Sequence, residues 1–100
     1  MTDSMETEDA LERLRKECAE ISYLEIQKFF AKGVILVVHK EVNLIDVAYK
    51  IHQDDADTIG QLMDKGRLVR AHDAHAKRWH EEKTQFNAVT VAPWLLVQES

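Results

Sequence analysis

The hydrophobic positions in the first third of the chain predict two helices and one strand. A helix over about residues 8–20 is indicated by apolar residues spaced three and four apart: Ala10, Leu11, Leu14, Cys18 and Ile21. A second helix begins at Ser22, because Ser22 and Glu25 have the spacing of a capping box. Gly33 suits the end of this helix. The short β-branched run at 34–38 is typical of a buried strand.

The middle of the chain predicts a pair of helices, over 44–52 and 55–65, with the break between them inside the sequence IHQDDADTIG, residues 51–60. Asn43 can cap the first helix, and Asp54 or Asp55 can cap the second, since these side chains accept hydrogen bonds from free backbone N–H groups. Gly66 suits the end of the second helix. The order of elements resembles the helix pair of a winged-helix protein.

The last third predicts a brief strand at 67–70, a polar helix at 72–83 with Trp79 turned inward, and a C-terminal strand region. Pro93 cannot donate to a ladder, so it marks an edge, a bulge or a bend between two strands. The predicted fold class is α+β: about five helices with a small, mostly antiparallel sheet and a winged-helix-like helix pair in the middle. The predicted core includes Leu14, Ile26, Phe29, Ile35, Val37, Val47, Ile51, Ile59, Leu62, Val89 and Val91.

Length and composition indicate one domain. The chain has 100 residues, a net charge of −5 and a single cysteine. We expect a disordered acidic start at 1–9, which lacks apolar periodicity, and a single domain at 10–100. Cys18 excludes an internal disulfide and fits a reducing compartment. With no signal peptide expected and no long apolar run, the sequence predicts a soluble, cytoplasmic protein.

The acidic charge disfavours nucleic-acid binding. The helix pair carries five aspartates and two lysines from Asn43 to Gly66, whereas a reading helix brings basic and amide side chains to DNA. An Asp-capped corner between two core helices is the simpler interpretation. Basic residues do gather later in the sequence, at Arg67, Arg70, Lys77, Arg78 and Lys83.

Candidate chemistry is sparse, and no cofactor is expected. His72 and His75 have an i, i+3 spacing that could place two imidazoles on one metal ion, and His80 lies well around the helix from His72. The set is not a zinc signature, so a surface helix with titratable groups is the preferred interpretation. Asp54, Asp55 and Asp57 could bind a hard cation, but they lack the spacing of a calcium loop.

Several motifs together resemble a family of short bacterial proteins known only as a domain of unknown function, DUF2288. The resemblance runs from about Leu14 to Glu99. It rests on AEIS, GVILVV, NLIDVAYKIHQDDADTIGQLMDKG, Trp79 and FNAVTVAPWLLVQE. It implies no activity, since the family has none to carry over. It does mark Asp54, Asp55, Pro93–Trp94 and Gln98–Glu99 as matching positions, whereas the histidines look particular to this chain.

Three functional hypotheses follow. The first is a non-enzymatic protein-interaction or regulatory module of the bacterial cytosol, with self-association as a homodimer suggested by the apolar segment Trp94–Val97. The second is a winged-helix-like nucleic-acid binder, which requires the later basic residues to converge on the face of the 55–65 helix. The third is a small enzyme or cation site using Asp54 and Asp55. The candidate functional surface is Asp54, Asp55, Trp94, Gln98 and Glu99.

Overall fold

Five helices and five strands make up the described part of the chain. The computed structural model describes residues 3–100, with side chains from residue 8 onward. The elements are α1 Asp3–Glu17, β1 Ala19–Ser22, α2 Tyr23–Ala31, β2 Ile35–Val38, α3 Leu44–His52, α4 Ala56–Asp64, β3 Leu68–Arg70, α5 Asp73–Glu82, β4 Gln85–Val91 and β5 Trp94–Glu99. The predicted α+β class with about five helices is confirmed.

The strands form one mixed sheet in the order β1-β4-β5-β2-β3. Three neighbouring pairs are antiparallel, and β2 and β5 run parallel, with Leu36 opposite Leu96. A parallel pair needs a long crossover connection, and here the chain between β2 and β5 supplies α3, α4, β3, α5 and β4. The C-terminal strand therefore lies at the centre of the sheet, between β4 and β2.

Helices cover both faces of the sheet, so the molecule has three layers. Alternate strand residues point to opposite faces. Leu36, Val89 and Leu96 point toward α1, α3 and α4. Ile35, Phe86 and Leu95 point toward α2 and α5. On the second face, Trp79 of α5 is fully buried, and its ring packs edge-on against Phe86 at a centroid distance of 4.8 Å.

The helix boundaries follow the predicted capping signals closely. The Ser22 N–H donates to Glu25 Oε2 at 2.9 Å, and Asn43 Oδ1 accepts from the Asp46 N–H at 3.1 Å. Gly33 and Gly66 follow their helices with φ of 71°, a backbone conformation that glycine adopts without a steric cost. The predicted helix pair is present as α3 and α4, joined by residues 53–55.

The predicted helix over 8–20 is wrong at both ends. It begins at Asp3 and ends at Glu17. Residues 19–22 instead form β1, in which Ile21 lies opposite Phe86 of β4. Ile21 sits one helical turn beyond Cys18, so helical spacing alone could not separate the two conformations, and pairing with a distant strand decides between them. The predicted disordered segment 1–9 overlaps α1, except for residues 1–2, which lie outside the described residues.

The predicted core is correct in part. Leu14, Ile26, Ile35, Val47 and Val89 are buried, whereas Phe29, Val37, Ile51, Ile59, Leu62 and Val91 are half-buried and pack at the margins. The apolar segment that suggested a homodimer is mostly inside the sheet, because Leu95, Leu96 and Val97 are buried in β5. Only Trp94 of that segment remains half-buried. Within the described residues, no helix is both long and apolar enough to span a bilayer.

The central position of β5 predicts a large cost for truncating it. Leu96→Ala should lower the free energy of unfolding by about 2–5 kcal/mol, because it leaves a cavity at the sheet centre. Leu24→Ala is the matched control, since Leu24 is 72% exposed, and its cost should stay within about 0.5 kcal/mol. Urea denaturation measures both. Similar losses for the two variants would contradict the central burial of β5.

Candidate functional site

The two aspartates of the helix corner have different roles. Asp55 caps α4: its Oδ1 accepts from the Thr58 N–H at 3.2 Å, and its Oδ2 accepts from the Thr58 hydroxyl at 2.8 Å. Lys50 Nζ lies 3.9 Å from the same Oδ2. The hydrogen bonds from Thr58 hold the pKa of Asp55 below its ordinary value, with a smaller contribution from Lys50. Asp55 is therefore an ionised structural cap.

Asp54 lies at the surface. Its φ is 58°, in the left-handed region that Asp and Asn tolerate better than most residues. Its side chain is exposed and, among the described residues, makes no hydrogen bond or ion pair. Of the two aspartates that could cap α4, Asp55 does so, and Asp54 presents a carboxylate at the surface.

Both aspartates border an open groove of about 340 Å³ between α4 and the start of β5, which we call the corner groove. Apolar side chains from α3, α4, β2 and β5 form its walls, and charged groups stand at its margins. The residues that line it are Leu36, Ile51, Asp54, Asp55, Ala56, Ile59, Gly60, Met63, Arg70 and Trp94. The structure therefore brings together three of the five candidate residues, Asp54, Asp55 and Trp94.

Arg70 and Trp94 form one side of the corner groove. The Arg70 guanidinium carbon lies 5.4 Å from the centre of the Trp94 ring, within the range of a cation–π interaction. Arg70 Nη2 also donates to the Gly33 carbonyl oxygen at 2.8 Å. These two contacts fix the guanidinium above the indole, so Trp94 has a defined position at the mouth of the groove.

The α4 side of the corner groove is open at Gly60. A Cβ built on Gly60 meets no atom within 4 Å. Ala56, one helical turn earlier, is exposed, and Met63, three residues later, is 42% exposed. Glycine in the middle of a helix is unfavourable relative to alanine, and the surrounding structure does not require it here. Gly60 therefore leaves a stretch of the α4 side of the groove without side-chain atoms.

Replacing this glycine should stabilise the fold. Gly60→Ala should raise the free energy of unfolding by about 0.5–1 kcal/mol, because alanine favours the helix and its methyl group meets open space. Gly33→Ala is the control, since its φ of 71° strains an alanine, and it should destabilise. Urea denaturation tests both variants. A loss of stability in Gly60→Ala would show that the space beside Gly60 is already occupied.

The remaining two candidate residues lie away from the corner groove and tie elements together. Gln98 Nε2 donates to the carbonyl oxygens of His39 and Val42, at 2.9 and 2.6 Å, and so holds the loop before α3 against β5. Glu99 accepts two hydrogen bonds from the Arg78 guanidinium, at 3.0 and 2.7 Å, which fix α5 to β5. Their contacts account for both residues without a ligand.

The histidines form a helix cap. His72 Nδ1 accepts from the Ala74 N–H at 3.3 Å, and His75 Nδ1 accepts from the His72 N–H at 3.2 Å. Their ring centroids are 4.1 Å apart, whereas His80 contacts Tyr23 instead. Within the part of the chain with described side chains, no group of three or more His, Cys, Asp or Glu could hold a metal ion.

The histidine cap should make stability depend on pH. The pKa of His75 is lowered from its ordinary 6.5, mainly by burial and also by the nearby charges of His72 and Arg78. The stability contributed by neutral His75 is therefore complete above pH 6.5 and is lost as the pH falls through the lowered pKa. His75→Gln keeps an acceptor that does not titrate. Its melting temperature should fall less than that of the wild type between pH 7.5 and 5, as followed by circular dichroism. If the melting temperatures of the two proteins fell equally with pH, His75 would not be the source of the pH dependence.

Neither Cys18 nor the set of basic residues after Gly66 forms a site in the structure. Cys18 is half-buried against the core on the α1 side, and burial raises the pKa of its thiol, so it is a poor nucleophile. The basic residues separate: Arg67 pairs with Glu41 at 3.6 Å, and α5, which carries Lys77 and Arg78, covers the sheet face opposite α4.

Sequence reasoning missed Gly60, Met63 and Arg70 as site residues. A signal existed for Gly60, because a glycine inside a predicted helix lowers stability and calls for an explanation. No local signal existed for Arg70. Its contact with Trp94 depends on β2 lying between β3 and β5, a long-range arrangement that the strand sequences do not specify.

Fold and groove together define a small α+β protein: a five-stranded mixed sheet between two helical layers, with an apolar groove at one corner. The chain belongs to the family described as protein of unknown function, DUF2288, whose model matches residues 9–99. This confirms the resemblance found in the sequence.

A solved structure shares the fold. It is the solution structure of PA1075 from Pseudomonas aeruginosa, which is 34% identical to this chain and superposes with a TM-score of 0.81. The match covers 91% of this chain and 84% of that one. A comparison with curated proteins gives no significant match.

Proposed function

We propose that the protein is a small, non-enzymatic protein-interaction module of the bacterial cytosol that binds a segment of a partner protein in the corner groove. The observation that carries the proposal is the convergence of the adjacent pair Asp54 and Asp55 with Trp94, which is remote from them in sequence, around an apolar groove whose helical side is left open at Gly60.

The groove suits the insertion of a side chain. Its volume of about 340 Å³ is near the lower end of ligand sites, which are roughly 300–1,000 Å³. It is open to solvent along α4, where Met63 is 42% exposed. Interfaces concentrate their binding energy at apolar and aromatic side chains surrounded by polar groups. Trp94, Met63 and the charged margin supply that combination.

The surroundings of Asp54 and Asp55 give little support to the hypothesis that they catalyse a reaction. A general acid or base works best when its pKa lies near the operating pH, and the pKa of Asp55 is lowered instead. Its carboxylate is also engaged with Thr58 and Lys50. The Asp54 side chain is exposed and, among the described residues, makes no hydrogen bond or ion pair, so binding is favoured over catalysis.

Nucleic-acid binding and self-association through the C-terminal segment receive no support from the geometry. The nucleic-acid hypothesis required the basic residues to converge with α4, and Lys77 and Arg78 lie across the sheet from it. The homodimer hypothesis relied on an exposed apolar tail, and Leu95–Val97 are buried within β5. Among the surfaces that the sequence singled out, the corner groove is the one where candidate residues meet at a cavity.

A groove-filling substitution tests the proposal. Random peptides displayed on phage are selected on the wild-type protein, and each enriched peptide is then titrated against Gly60→Phe, whose ring extends into the open groove. We expect peptides whose affinity falls at least about tenfold in Gly60→Phe, the loss of roughly 1.4 kcal/mol. Gly60→Ala, which leaves most of the groove open, should retain binding.

Fold integrity is checked by circular dichroism, and both variants should melt no lower than the wild type. Equal binding of every enriched peptide to the wild type and Gly60→Phe, or no enrichment at all, would refute the corner groove as the binding site.

A further inference from the structure

We infer that the occupant of the corner groove is a cationic amphipathic segment of another protein: an apolar anchor side chain flanked by Lys or Arg. This inference rests on the proposed function and adds the chemistry of the partner. It is based on the charged groups around the groove and on which of them already make ion pairs.

Most of the charged groups beside the corner groove that make no ion pair, among the described residues, are aspartates. Between Lys50 and Lys65 there are four aspartates and two lysines. Lys50 is engaged with Asp55, which is itself the cap of α4. Asp54, Asp57 and Asp64 are exposed and, among the described residues, make no ion pair. Three carboxylates therefore remain available, and the bases near them that make no ion pair among the described residues are Lys65, directly after α4, and Arg70.

Two of these carboxylates lie on α4, next to the residues that line the groove. Asp57, Gly60 and Asp64 are spaced i, i+3 and i+7 on α4, so they follow one line along the helix. Asp54 lines the end of the groove near the α4 N-terminus. A segment lying in the groove would thus have carboxylates along one side and at one end.

Arg70 does not cancel this negative edge. It stands on the Trp94 side, where its guanidinium is held by the Gly33 carbonyl oxygen and the indole ring. An anionic segment could approach Arg70 only by placing further negative charge beside Asp54. A cationic segment avoids this cost and places its bases against the free aspartates.

The same charges argue against a second copy of this chain as the occupant. The net charge is −5, and a symmetric contact through α4 would bring the aspartates of one copy against those of the other. Like charges across an interface are unfavourable. The bare surface at Gly60 and the small Ala56 let the backbone of a different protein approach closely.

The phage-selected peptides test this inference at low and moderate salt. The expected peptides carry an apolar or aromatic residue close to Lys or Arg, and they bind more weakly as salt rises. The variant Asp54→Asn/Asp57→Asn should raise their Kd about fivefold at low salt, as expected for two exposed ion pairs. Glu20→Gln/Glu81→Gln removes two charges on β1 and α5 and should change Kd less than twofold.

The possible failures are distinct. Peptides that need the open groove but lack basic residues, and bind Asp54→Asn/Asp57→Asn as well as the wild type, would overturn the cationic partner while leaving the binding site intact. Peptides that match a segment of this chain, together with dimerisation by light scattering that Gly60→Phe abolishes, would assign the groove to a second copy. If no peptide loses binding in Gly60→Phe, both this inference and the proposed function fail.

Discussion

Burial of β5 on both faces and along both edges is the constraint on which the structure depends. The backbone of Trp94–Glu99 pairs with β4 on one side and β2 on the other. Leu95 and Val97 point into the α2 and α5 layer, while Leu96 points into the layer of α1, α3 and α4. The last strand in the sequence thus joins the two halves of the core, and neither helical layer has a complete surface to pack against until β5 is in place.

The corner groove is a consequence of the same arrangement. β5 starts at Trp94, where the α3 and α4 layer no longer covers the sheet, so the indole is only half-buried. Arg70 reaches it because β2 and β3 lie next in the sheet. Gly60 leaves the adjoining helix face without a side chain. The site is therefore the uncovered margin of a well-packed core, which explains why it is apolar inside and charged around its edge.

Local signals in the sequence were enough for α2 to α5, whereas long-range pairing decides where α1 ends and β1 begins. Ser22, Asn43 and Asp55 act as predicted caps because capping involves residues within one turn. β1 was missed because Ile21 fits helical spacing as well as it fits a strand, and its pairing with Phe86 spans most of the chain. Asp54 and Trp94 are 40 residues apart in the sequence, and the parallel pairing of β2 with β5 places Trp94 at the same groove as Asp54. Gln98 and Glu99 belonged to the same matching motif, yet their contacts are structural.

Native-state amide hydrogen exchange tests the central position of β5 most directly. The Leu95 N–H donates to the Val34 carbonyl oxygen at 2.9 Å, and the amides of residues 95–97 lie in the middle of the sheet. Because such core amides are released only by global unfolding, they should rank with the slowest in the protein and show an opening free energy equal to that of unfolding by urea. Rapid exchange of residues 95–97, at rates typical of a chain terminus, would contradict the account.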